Sequence, residues 1–290
     1  NLATRRLGRD YQDIVVATRL GELHHLNDDI EKAFDVWQRA LDANSSSLQA
    51  YRYIGDMMRN RREYANSVEL YETARTKFNN KTLFFTEITS NYMAMGRHDL
   101  AVINLVDVLE ASPGNSTFIQ RQIIGFDEPA VVELAIVELS ERSRSLSRGS
   151  AEYIAFQEVS IALLLEQGFF RRALVAARSL ESVASEGSWP VYTIANRLRS
   201  QEQFELADEA YQFYADRDRH PLQARSREDR ATLYILWSRS LTAKNIDYDG
   251  KATELYEKAD QILQDLLEQF PNYQRRTEVL STKADLALDY

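Results

Sequence analysis

Cysteine is absent from the 290 residues. Its absence removes disulfides, thiolate metal sites and cysteine nucleophiles together, and a chain without thiols suits cytoplasm and periplasm alike. Proline and glycine are scarce, at 5 and 10 residues, which leaves few places for breaks between regular elements. No run of about 18 apolar residues occurs, so no segment is expected to span a membrane. The G-x-x-x-x-G-K-[ST], G-x-G-x-x-G, G-x-S-x-G and H-E-x-x-H patterns are missing. With them go the main phosphate, dinucleotide, hydrolase and zinc-protease signatures. An excess of positive charge is also lacking. The net charge is -9, which makes nucleic acid a poor partner. The short basic runs at Arg59, Arg61 and Arg62 and at Arg217 and Arg219 read as solvated loop ends.

What is present favours helix. Ala, Leu, Glu, Arg and Gln are abundant, and all are good helix formers. At 290 residues a single core is near its upper size, whereas an array of repeats escapes that limit because each unit packs on its neighbours. The chain opens at Asn1 with no signal-like apolar stretch, so the expectation is that a signal peptide or other domains once preceded it. Leu280, Ala284 and Leu288 recur at helical spacing, with Val279, Leu286 and Tyr290 widening the arc. A terminal cap needs a polar outer face, so the polypeptide is expected to continue past Tyr290.

A fixed period runs through the first part of the chain. Gly21, Gly55 and Thr89 lie 34 residues apart, each preceded by Leu20, Ile54 or Ile88. Ala33, Ser67 and Ala101 keep the interval, as do Trp37, Tyr71 and Leu105, and Ala40, Ala74 and Val108. Pro113 closes the third unit. A small residue at Gly21 or Gly55 lets one helix approach its partner, and Trp37 or Tyr71 fills the remaining space, as close packing requires. Polar turns at 27–29, 60–63 and 96–99 separate the helices of each pair, with Asp28 expected to cap the second helix.

This order of residues resembles the tetratricopeptide-repeat pattern: a bulky residue (Ala17, Tyr51, Phe85), Leu-Gly, an aromatic (His24, Met58, Tyr92), Ala, an aromatic, Ala and Pro. The resemblance implies an all-α fold, a right-handed superhelical solenoid of antiparallel helix pairs without β-sheet. Residues 1–13 are an N-terminal extension or helix. Residues 14–149 hold four repeats, the fourth degenerate, with Ile119, Ile123, Phe126, Ala135 and Leu139 in frame. Residues 150–290 hold repeats five to seven and a terminal helix. There the frame resumes four residues out of phase, with Ala173 and Ala207, Ala177 and Tyr211, and Leu180 and Tyr214 each 34 apart. The seventh pair is expected at Arg227–Ala243 and Lys251–Phe270, the last helix at Tyr273–Tyr290. The Ser/Arg/Gly run from Ser143 to Ser150 predicts a break in regular stacking near 143–153.

No catalytic group, cofactor site or metal site is expected. His24 occupies a packing place. His25 and Asp29, four apart, lack a third metal ligand, and His98 and His220 read as surface residues. Adjacent carboxylates such as Asp28 and Asp29 read as helix-end charge.

In the resembled family the first helix of each pair lines a concave groove. The frame puts Val15, Thr18, Glu22 and His25 on that line; then Gln49, Arg52, Asp56 and Arg59; Leu83, Thr86, Ser90 and Met93; Ala155, Glu158, Ala162 and Leu165; and Trp189, Tyr192, Asn196 and Arg199. One subfamily grips a C-terminal carboxylate with Lys, Asn, Asn, Lys and Arg. This chain has Thr18, Glu22, Tyr53, Leu83 and Glu87 there, and Glu158, Ala162 and Thr193 in the later units, so that grip is not expected. The candidate partner contacts are Arg52, Asp56 and Arg59 and, carrying residue types enriched at hot spots, Trp189, Tyr192, Asn196 and Arg199. Tyr192 and Arg199 are expected to hold no packing place. Trp189, just before Pro190, is equally a staple for its helix.

The expected role is a non-enzymatic scaffold that binds a protein or peptide in the groove. The alternative is an assembly subunit of a larger complex, a cell-envelope one among them, packing through its ends or convex face. A second copy of the chain is also a candidate partner.

Overall fold

A computed structural model describes residues 11–289 apart from Glu186 and Tyr248. Most of the expected extension at 1–13 therefore lies outside the described residues. Among those residues are fifteen α-helices and no β-strand. They run as consecutive helices, most of them packed as pairs, before a final helix: α1 (Ile14–Leu26) with α2 (Ile30–Ala43), α3 (Leu48–Asn60) with α4 (Tyr64–Lys77), α5 (Phe85–Ala94) with α6 (His98–Ala111), α7 (Ser116–Ile124) with α8 (Pro129–Ser143), then in fifth place α9 (Ala151–Glu166) followed by α10 (Phe170–Glu181), α11 (Pro190–Ser200) with α12 (Phe204–Ala215), α13 (Gln223–Ala243) with α14 (Lys251–Gln269), and α15 (Arg276–Asp289).

The pairing follows from a size rule that recurs at sixteen-residue spacing. A Cβ on Gly21 would lie 2.1 Å from the indole nitrogen of Trp37, and one on Gly55 would lie 2.4 Å from the ring of Tyr71. Both aromatics are fully buried, so a side chain added at Gly21 or Gly55 meets the ring opposite it. In the third pair Thr89 faces the smaller Leu105, and in the sixth Ala195 faces Tyr211; all four are buried. Where the first helix gains a Thr side chain the second gives up its ring, whereas Ala195 adds only a methyl group and Tyr211 is kept. This is a tetratricopeptide-like architecture, built on the helix pair as its unit.

The turns obey a second rule. Asp28, Arg62 and Gly96 all take positive φ, at 61°, 65° and 69°, and stand 34 residues apart. Gly168 and Glu202 repeat the feature at 73° and 56°. At each, the next amide donates back across the helix end: Asp29 to His24 O at 3.0 Å, Glu63 to Met58 O at 2.9 Å, Arg97 to Tyr92 O at 2.9 Å, Phe169 to Leu164 O at 2.8 Å and Gln203 to Leu198 O at 2.9 Å. This left-handed closure satisfies carbonyls that the helix end leaves open. Asp28 therefore closes α1 and does not cap α2, whose N-cap is Asp29. Asp13 caps α1, accepting from the Val16 amide at 3.1 Å.

Helices α1–α8 and the start of α9 belong to one compact unit, and residues 147–150 and 160–290 form a second. In the first unit the core runs through Ala17, Trp37, Tyr51, Ile54, Tyr71 and Ile88. The fourth pair, weak in signature, still buries Ile119, Ile123, Ala135 and Leu139 completely. In the second unit α10–α13 pack in succession, and α13 and α14 enclose a core of Ala231, Tyr234, Leu255, Ala259, Leu263 and Leu266 that Val279 and Leu286 of α15 complete.

Helix α13 begins a full turn before the expected Arg227. Its opening segment, Gln223 to Arg230, has no apolar period, yet Gln223, Ser226, Glu228 and Asp229 are buried. That buried polar turn organises the site described next. The final helix begins at Arg276, after the expected Tyr273.

Candidate partner-binding face on the first helices

The candidate residues occupy the same repeat places in the two units. Matching Gly55 to Ala195 sets Arg52 beside Tyr192, Asp56 beside Asn196 and Arg59 beside Arg199. The structure gives the matched residues matching jobs. Asp56 accepts from the Tyr71 hydroxyl at 3.0 Å. Asn196 accepts from the Tyr211 hydroxyl at 2.8 Å. Each bond spans fifteen residues and ties the first helix to the second within one pair. Burial, then Asp56, pushes the Tyr71 hydroxyl well above its ordinary range; burial does the same for Tyr211. Both phenols therefore stay protonated donors.

The place of Arg52 and Tyr192 reaches the other way, toward the next first helix. Arg52 lies over the Phe84 ring at 5.4 Å and pairs with Glu87 at 3.5 Å. Tyr192 donates to Asp229 of α13. Arg59 is half-buried on α3. Val15, Gln49, Thr86 and Ser90 on the expected line are exposed, and other places on it are less open. Thr18 and Glu22 are buried, Glu22 paired with Arg19 and Arg61. Leu83 precedes α5, whose N-cap is Phe84 in the left-handed region. His25 pairs with Glu63 at 3.0 Å, not with Asp29, and stacks on Trp37. Among the described residues no cluster of three His, Cys, Asp or Glu has metal-binding spacing.

In the second unit the chemistry converges on Asp229, which is only 5% exposed. It accepts from the Tyr192 hydroxyl, from Arg225 Nε at 2.9 Å and Nη2 at 3.2 Å, and from Arg199 Nη1 at 3.4 Å. Glu228, next in the chain, accepts from the Tyr273 hydroxyl at 2.6 Å and from Arg275 Nε at 3.0 Å and Nη2 at 2.9 Å. Burial works against the charge of Arg225, but its bonds to Asp229 and Tyr192 outweigh it and hold the guanidinium firmly protonated. Arg199 lies against the Tyr211 ring at 5.8 Å. Trp189 is the N-cap residue of α11 and meets His220 edge-on at 4.7 Å and Tyr214 at 6.2 Å.

Tyr192 and Arg199 are therefore not free of structural duty, contrary to the expectation from the frame. Asp229, Arg225, Glu228, Tyr273 and Arg275 escaped the sequence reading. Their signal was the run Arg225-Ser226-Arg227-Glu228-Asp229-Arg230, which has the composition of a solvated helix start.

No protein-family model matches the chain, and no curated protein matches it. Similar solved structures include Naa15/Naa10 bound to HypK-THB, with 16% identity, a TM-score of 0.34 and coverage of 99% of this chain and 48% of that one. Another is the TPR domain of P58(IPK), with 13% identity, a TM-score of 0.27 and coverage of 96% and 99%. This chain thus spans about half the length of the first. Superpositions this loose carry no inference about partners or chemistry.

Proposed function

We propose that the chain is a protein-interaction scaffold whose first helices hold a peptide or protein segment. Arg52, Asp56 and Arg59 are contacts in the first unit, and Trp189, Tyr192, Asn196 and Arg199 in the second. The observation that carries this reading is the alignment of Tyr192, Asn196 and Arg199 along one side of α11. All three are partly exposed, and internal bonds hold all three in place. Side chains ordered before binding lose less entropy on binding. In the first unit Arg52, 53% exposed, stands next to the exposed ring of Tyr53. Tyrosine and arginine are the residue types that anchor interfaces.

The assembly-subunit reading is favoured by a different observation. Leu134 and Val137 of α8 and Val175 of α10 are exposed aliphatics on second helices. One experiment separates the two. A photo-crosslinking amino acid replaces Tyr53 or Thr193 on first helices, or Gln38 or Val175 on second helices, and the protein is irradiated in native lysate. Adducts from the first-helix positions are expected. Adducts confined to the second-helix positions would replace the scaffold reading with the assembly one.

A further inference from the structure

The arginines around Asp229 and Glu228 are layered in a definite order. The two carboxylates lie beneath, their side chains 5% and 11% exposed, while Arg199, Arg225 and Arg275 lie above them at 25%, 35% and 44%. Solvent therefore meets guanidinium groups, and the negative charge is screened below. The five groups carry three positive and two negative charges, and Glu278 at the start of α15 acts on Arg275 from the exposed side.

The donors are not used up. Each guanidinium offers five N–H groups. Arg225 Nη1 and Arg275 Nη1 make no hydrogen bond among the described residues; Arg225 Nη1 lies 3.7 Å from Glu228. Both contacts of Arg199, to Asp229 and Asn196, are 3.4 Å, at the outer limit of a hydrogen bond. Arg225 and Arg275 share Glu228, whose bonds hold Arg275 firmly protonated, while the two guanidinium groups repel one another. An added anion between them relieves that repulsion. Tyr192 and Tyr211 form an aromatic floor beside Arg199.

We infer that Arg199, Arg225 and Arg275 form a docking patch for an acidic segment of a partner protein, whose side-chain carboxylates bridge the outward guanidinium edges. This assignment rests on the scaffold reading and names the chemistry of the partner in the second unit. Planar forks suit carboxylates through paired N–H bonds. The patch is built differently from the carboxylate grip that the sequence fails to match. Its three cations come from α11, from α13 and from the turn before α15, and buried acids hold them in place.

The test uses the full chain and a fluorescein-labelled peptide of alternating glutamate and alanine, read by fluorescence anisotropy at low ionic strength. Comparison probes are the glutamine–alanine peptide and a short oligothymidylate. The expected result is binding of the glutamate peptide alone, weakening as salt is raised. Arg199→Gln with Arg275→Gln should weaken it about tenfold or more, since each removes a charge-assisted bond. Arg199→Lys with Arg275→Lys, which keeps the charge and reports on folding, should retain part of the affinity. Arg39→Gln, on the exposed side of α2, should change nothing. Three results would each overturn the inference: no binding of the glutamate peptide, unchanged binding by the folded double glutamine variant, or equally tight binding of either comparison probe. Adducts at Thr193 without glutamate-peptide binding would discard the acidic patch while leaving the scaffold reading intact.

Discussion

Gly21→Ala tests the size rule that pairs the helices. The added Cβ would stand 2.1 Å from Trp37 Nε1 and 2.5 Å from Cδ1. Ordinary carbon contacts lie near 3.5–4.0 Å, so the indole must move by about 1.5 Å. Trp37 is 0% exposed and donates to the Thr18 carbonyl at 3.1 Å, so it has no free direction in which to move. Overpacking a rigid buried ring costs about 3 kcal/mol, and losing its hydrogen bond costs about 1 kcal/mol. The helix preference of Ala over Gly returns about 1 kcal/mol. The net expectation is a loss of about 3 kcal/mol. The third pair shows the remedy, because Thr89 sits opposite Leu105 without conflict. Trp37→Leu alone opens a cavity and is destabilising. Combined with Gly21→Ala it should cost at least about 1.5 kcal/mol less than the two single changes added together. Urea unfolding followed by far-UV circular dichroism, with hydrogen exchange in residues 14–43, measures both quantities. A neutral or stabilising Gly21→Ala, or strict additivity of the pair, would refute the rule.

Two further outcomes follow from the second unit. Asp229→Asn removes the charge that Tyr192, Arg225 and Arg199 share, and should destabilise the chain by about 2 kcal/mol in urea unfolding; no change would mean that these bonds do not form in solution. His220 accepts at Nδ1 from the Leu222 amide at 3.1 Å, which requires a neutral ring, and burial, then Arg217, holds its pKa below the usual value near 6.5. Its contribution is therefore complete above that value and lost as pH falls, so the thermal midpoint should drop between pH 7.5 and 5.5. His220→Asn keeps an acceptor without the titration and should show a smaller drop; an equal drop would place the acid sensitivity elsewhere.

The helix pairs could be read from the sequence because their packing is local and periodic. Gly21 with Trp37 and Gly55 with Tyr71 keep one spacing, and a small residue opposite a large one has no other economical arrangement in a close-packed interior. The left-handed turn residues were hidden, since Asp28, Arg62 and Glu202 do the work that Gly96 and Gly168 advertise. There the backbone closure, held by the recurring amide-to-carbonyl bonds, overrides side-chain preference. The places of Asp56 and Asn196 on the first helices were also legible, but not the duty of either, because an acceptor reveals its donor only once Tyr71 and Tyr211 are brought beside it.

The Asp229 and Glu228 network belongs wholly to the tertiary structure. Its bonds span from 4 residues, between Arg225 and Asp229, to 47, between Glu228 and Arg275. No period links such positions. A charged residue carries the same letter whether water or a guanidinium satisfies it, so burial of polar groups leaves no trace in composition. Apolar periodicity determined which helices form and how they pair. The reach of long side chains across neighbouring helices decided which charges are buried and which remain outward.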